Sequence, residues 1–214
     1  MKGHRFITQY NNGRRQFQQT CIAELELFDF DLNRLDLSHS VLNHARFTNV
    51  NFQECSFTES FLQYSSFINC EFKNCQFNSA DLSHSLFDKT TFGTTNLIQA
   101  NLLSCEFVEA HFVWSSLAGA CLDKSDFKTV RLVCSDLTQA YFGPQSHLND
   151  LLFRSCIFHK TQFDRTPFDQ VTLDHTGFFA MTLEDINLSN SAVISVPFRQ
   201  TTLKNLQLSS VVQP

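Results

Sequence analysis

Residues 69–87 read "NCEFKNCQFNSADLSHSLF", with bulky apolar side chains at Phe72, Phe77, Leu82 and Phe87, one every five residues. That spacing fits neither a helix, whose buried face returns every three or four residues, nor a half-buried strand, which alternates every two. A period held so strictly points to a repeat architecture. Stepping by five from Phe17 to Phe142 gives 26 positions, and each one is Phe, Leu or Ile. A second series from Leu148 to Leu208 adds 13 positions, all Phe or Leu except Val193. These centres hold 19 of the 24 Phe residues, which accounts for a chain with so much Phe beside 3 Tyr and 1 Trp.

The residue two before each centre is also restricted. From Ser40 to Ala140 it is always Ser, Ala, Cys, Thr or Val, so each unit offers one large inward residue, one small one and three mostly polar positions. Reading every twentieth residue gives Leu42, Leu62, Leu82, Leu102 and Leu122, and the next column gives Phe47, Phe67, Phe87, Phe107 and Phe127. Like residues recurring every four units predict a four-sided coil in which each unit is one side. Strand-type pairing between coils sets a rise of about 4.8 Å, so roughly ten coils make a rod on the order of 45–50 Å long. Right-handed winding is expected from the preference of parallel connections. The predicted fold is therefore an all-β solenoid, a right-handed quadrilateral β-helix of tandem five-residue repeats.

The expected organisation is an N-terminal segment, 1–14, capping the first coil, a single β-helix over 15–210, and a tail over 211–214. One interruption falls at 143–147. In "AYFGPQSHLNDLLF" (140–153) the step from Phe142 to Leu148 is six, and Gly143-Pro144 is a turn signal. A tolerated bulge at a corner and a kink that divides the rod are both compatible with that extra residue.

The composition, 43% apolar and 17% charged with a formal net charge of −5, is that of a soluble chain. No continuous apolar run reaches membrane-spanning length, and "MKGHRFITQYNNGRRQFQ" has no apolar secretory core, so a cytoplasmic location is expected. An axis filled with Phe and Leu leaves no cavity for a substrate, and no phosphate loop, nucleophile elbow or metalloprotease motif occurs. No enzymatic activity, cofactor or metal is expected. Five of the eight Cys (Cys55, Cys70, Cys75, Cys105, Cys156) occupy the small inward position, where Cys acts as a small hydrophobe, and the spacings lack the pattern of a zinc site. His44 and His84 share a column two coils apart, roughly 10 Å, and are expected on the solvated surface.

Function must then lie outside. Acidic residues recur just before the centre, at Asp36, Glu71, Asp81, Glu106, Asp126 and Asp136, and residues 16–142 carry 15 acids against 7 bases. Such a rod repels nucleic acid, so direct DNA binding is not expected, and it attracts a protein with a basic groove. Outward apolar residues are rarer. Val113 and the single Trp, Trp114, are expected to face out, as are Phe61, Tyr64, Leu103 and Tyr141 on the side carrying the Leu column. Aromatics on a rigid face suit a protein partner or self-association into a homodimer.

The segments "ADLSH" (80–84), "ANLLS" (100–104), "TNLIQ" (95–99) and "SDLTQ" (135–139) resemble the pentapeptide repeat family, whose motif is A(D/N)LXX. The resemblance covers residues 15–210 and implies the family's right-handed quadrilateral β-helix. Its best-understood bacterial members are the quinolone-resistance type, DNA mimics that act on DNA gyrase. The resemblance thus implies a type II topoisomerase as the most specific candidate partner. The alternative is a regulatory or host-directed adaptor that shows its rigid surface to an unrelated protein. The repeat geometry also predicts that Phe87→Ala in mid-stack costs ~3–5 kcal/mol, and that the same change at Phe17 costs much less.

Overall fold

The computed structural model describes residues 2–188, 190–205 and 207–208. Apart from one helix, α1 (Gly3–Asn11), its regular structure is short parallel strands and bridges. Pairing follows the twenty-residue register: Phe47 lies against Phe67, Phe67 against Phe87, Phe87 against Phe107, and Phe107 against Phe127. Four such columns form a square coil. The first side carries Phe17 and Leu37, the second Ile22 and Leu42, the third Leu27 and Phe47, the fourth Leu32 and Phe52. The first side makes nine steps from Phe17 to Phe198, so the solenoid has about nine turns rather than ten.

Every centre from Phe17 to Val193 is at most 6% exposed, so the core is one continuous column. Along the axis the rings lie nearly parallel, as in Phe67–Phe87 at 5.0 Å and 2° and Phe92–Phe112 at 4.5 Å and 3°. Across the corners they meet edge to face, as in Phe67–Phe72 at 5.5 Å and 67°. Both geometries suit the aromatic quadrupole, and the strand spacing alone brings the rings within stacking range.

The restricted inward position has a second role beyond volume. The Thr90 hydroxyl donates to the Phe67 carbonyl at 2.9 Å and Ser115 to that of Phe92 at 2.9 Å, while the Cys75 thiol points at the Phe52 carbonyl at 3.3 Å. Each satisfies a buried acceptor on the coil below. On the first side before the break, the unit closes as a turn, with Ala80 N–H donating to Phe77 O and Ala100 N–H to Leu97 O. Those carbonyls need no outside donor, and Ala is enough in the following slot.

The corners explain how the chain turns with only 6 Gly. The residue two after the centre takes the left-handed conformation at 35 non-glycine positions, with φ from 49° to 61°. This region disfavours L residues, and its cost is offset because each such N–H joins the inter-coil ladder, as Gln19 N–H does to Ser38 O. A β-branched side chain fits it worst. Thr129, exposed at φ 56°, is therefore expected to gain about 1 kcal/mol of stability on replacement by Gly. Urea unfolding checks this, and a loss of stability would contradict it.

The register break has the same origin. After Phe142 the corner position falls on Pro144, whose ring holds φ near −65° and forbids the left-handed turn. Pro144 and Gln145 form the turn instead, Ser146 N–H closes onto Gly143 O at 3.0 Å, and Ser146 takes the small inward slot. Phe127 then pairs with Leu148 and Leu132 with Phe153, a step of 21, after which the step returns to 20. Gly143 is required here, since a Cβ would lie 1.7 Å from Asp123 Oδ1. Beyond the break the first and second sides also become strands, Ile157–His159 and Thr182–Glu184 among them.

Helix α1 packs on the first coil. Phe6 is fully buried with its ring 4.8 Å from Phe17, and the Tyr10 hydroxyl donates to Asp31 O and accepts from Asn33 N–H. Phe30, in the slot that is small from Ser40 to Ala140, meets the Tyr10 ring edge-on at 6.0 Å. At the other end Phe198 and Leu203, on the inward positions, are 36% and 45% exposed.

Candidate interaction faces

Because the large inward residue repeats every five, the residues before and after it must face out, and each side of the rod is a ribbon of such positions. The structure divides the candidate apolar residues between two opposite sides. Phe61, Tyr64, Leu103 and Tyr141 lie on the second side or its trailing corner, with Phe61 and Tyr64 well exposed. Val113 and Trp114 lie on the fourth side, across the rod, where Trp114 is 67% exposed at a corner with φ 55°.

The second side has the more ordered arrangement. Tyr64 is sandwiched between His44, at 5.3 Å and 10°, and His84, at 4.8 Å and 5°. The two histidines expected to be solvated and separate are thus layers of one aromatic stack along a corner, with Tyr64 filling the distance between them. The twenty-residue register that placed His44 and His84 in a column also places Tyr64 there. Further along this side, burial first and then the carboxylates of Asp123 and Asp164 push the Tyr141 phenol above its ordinary pKa.

Two exposed apolar residues were not singled out by sequence: Phe28 on the third side and Ile157 on the first. Both sit at positions flanking a centre, where the repeat pattern already implies exposure.

The six candidate acids are spread over all four sides. Asp36 and Asp136 are on the first, Asp81 on the second, Glu106 and Asp126 on the third, and Glu71 on the fourth. Three of them have local work. The carboxylates of Asp36, Asp81 and Asp136 accept from the N–H two residues on, at 3.0, 3.0 and 2.9 Å. An Asp or Asn before the centre thereby braces the turn, which is a structural reason for that letter in the repeat. Glu106 is paired with Lys128 at 2.8 Å, and Asp126 with His147. No ion pair involves Glu71 among the described residues.

The inward cysteines donate to backbone, and burial foremost pushes the thiols of Cys105 and Cys156 up to about 12 and that of Cys70 up to about 11. Cys75 is also raised, first by its hydrogen bond with Cys55 one coil away and then by burial. Among the described residues no group of three or more His, Cys, Asp or Glu is placed to hold a metal ion, and no helix is long and apolar enough to cross a membrane.

Comparison with known proteins adds the family. Sequence profiles for pentapeptide repeats match residues 42–86 as nine copies and residues 75–113 as eight. The pairing register carries the same unit through the described residues on both sides of that span. Residues 42–113 are pentapeptide repeats. No curated protein sequence matches it. Among solved structures, HetL, involved in heterocyst differentiation regulation in the cyanobacterium Nostoc, is 17% identical with a TM-score of 0.45, covering 100% of this chain and 98% of its own. A trypsin-treated form of QnrB1, a plasmid-mediated fluoroquinolone resistance protein, is 17% identical with a TM-score of 0.39, covering 87% of this chain and 92% of its own. A pentapeptide repeat protein of the Arabidopsis thaliana thylakoid lumen is 16% identical with a TM-score of 0.29 and covers 53% of this chain and 75% of its own. Throughout the rod, then, the inward residues serve the repeat itself, and the outward residues are what distinguish the four sides.

Proposed function

We propose that this protein is a non-catalytic protein-interaction scaffold of the cytoplasm, and that its second side is the working surface. The observation that carries this reading is the pairing of a filled axis with an exposed, pre-ordered aromatic corner. The packed column offers no enclosed site for chemistry. Phe61 and the His44–Tyr64–His84 stack offer rigid aromatic area whose ordering cost is already met by the fold, which is the character of interface hot spots.

The most specific partner is a type II topoisomerase, proposed on the resemblance to the quinolone-resistance type and on the net negative charge of the rod. Acids used in turns or ion pairs, such as Asp136 and Glu106, keep their charge and still contribute to a long-range negative field that steers a basic groove. Supercoiling by purified DNA gyrase, with and without a quinolone, tests this directly. Protection or inhibition at micromolar protein is expected, and no effect would exclude gyrase. In that outcome the adaptor reading stands, since the aromatic corner needs no DNA-binding partner.

A further inference from the structure

The fourth side carries a different pattern, which the scaffold reading does not use. Its column of residues preceding the centres runs Glu71, Thr91, His111, Arg131 through consecutive coils. Glu71 and Arg131 are both exposed, and neither has an ion-pair partner among the described residues. Between them lie two coils whose outward positions, Thr91, Gly93, Thr94, His111, Val113 and Trp114, include no Asp, Glu, Lys or Arg. Gly93 has no side chain, Val113 pairs with it one coil on, and Trp114 projects beside Val113.

We propose that this side is a self-complementary interface between two copies of the chain, packed antiparallel. A two-fold axis lying in the plane of the side, perpendicular to the rod and passing between Thr91 and His111, keeps each column opposite itself and reverses its order. Glu71 then meets the second copy's Arg131, and Arg131 meets its Glu71. Gly93 receives Val113, and Thr94 faces Trp114. Each contact occurs twice, as an isologous interface requires. The register is selective: moving the axis half a coil toward the C-terminus, onto His111, sets Glu71 against Leu152 and Arg131 against Thr91, and loses both ion pairs. Trp114 is the anchor, the charges fix orientation and register, and the second side, across the rod, remains clear for another partner.

Sedimentation velocity from about 1 to about 300 µM tests the proposal, with circular dichroism confirming that each variant is folded. The wild-type chain is expected to pass from monomer to dimer over this range. Glu71→Arg places two arginines opposite each other, and Arg131→Glu two glutamates, so each single change is expected to weaken the dimer at least about tenfold. Mixing the two singly changed proteins restores both opposite-charge contacts, as does the double change in one chain, and dimers are expected to return in both cases. Trp114→Ser is expected to weaken association in every background. A wild-type chain that stays monomeric throughout overturns the proposal. So does a dimer indifferent to both single changes, or one that the mixture fails to restore.

Discussion

Phe87→Ala is expected to lower the unfolding free energy by about 3–5 kcal/mol, the range for a large buried side chain removed from a core that cannot collapse around the gap. Phe87 is fully buried, with parallel rings at 5.0 Å on both sides, Phe67 and Phe107, and the edge of Phe92 at 5.4 Å. Its neighbours are themselves held by the strand ladder, so they cannot close in. Phe17 was expected from sequence to be much cheaper, as an end residue, and the structure overturns that. It is fully buried because α1 lays Phe6 over it. Phe17→Ala is therefore expected to cost nearly as much, and the cheap position is Phe198, 36% exposed on the last coil, at under about 2 kcal/mol. Urea denaturation of the three variants measures this order. Equal costs at Phe87 and Phe198 would contradict a column packed coil on coil.

The second large effect is alkaline destabilisation. Burial holds the thiols of Cys70, Cys105 and Cys156 at about 11, 12 and 12. In the unfolded chain they ionise near 8.5, so between that pH and about 11 the unfolded state has released protons that the folded state still binds. Stability must then fall as pH rises, and below about pH 8 these groups have no effect. With up to about 1.4 kcal/mol per pH unit from each thiol, the three together are expected to remove roughly 2–4 kcal/mol between pH 9 and 10. Urea midpoints at pH 8, 9 and 10 give the slope. Cys105→Ser and Cys156→Ser keep a donor for the carbonyls of Leu82 and Leu132 and are expected to flatten it. A wild-type profile that is flat above pH 8.5 would show that these thiols are not buried as described.

How much of this was legible beforehand follows from what a period can encode. The five-residue spacing of Phe72, Phe77, Leu82 and Phe87 and the twenty-residue recurrence of Phe47, Phe67 and Phe87 specify a four-sided column, because only stacking of like sides makes both periods useful. They also specify which residues face out. They carry no information on backbone dihedrals. That the corners would hold residues such as Gln19 and Thr129 at positive φ, and that Pro144 would force a six-residue corner for that reason, became visible only in the structure. The small inward set was read as volume alone, whereas Thr90 and Ser115 also supply donors. Likewise the acids before the centre read as a charged surface, yet Asp36, Asp81 and Asp136 brace turns. Positions around the rod were implicit in the register. Assigning Trp114 and Phe61 to opposite sides required only the side of each centre, Leu62 and Phe112, to be followed through the fours.

The central claim is that every fifth residue fills the axis, so that what the protein does is done by the outward positions. Urea unfolding of a Phe61→Ser/Trp114→Ser variant tests it most directly, at a concentration low enough for the chain to be monomeric. Two large aromatics are removed from a molecule whose stability, on this account, resides elsewhere. An unfolding free energy within about 1 kcal/mol of the wild type is the predicted result, since exposed apolar side chains contribute little. A loss approaching that of Phe87→Ala would contradict the account, because it would place these two side chains inside the column.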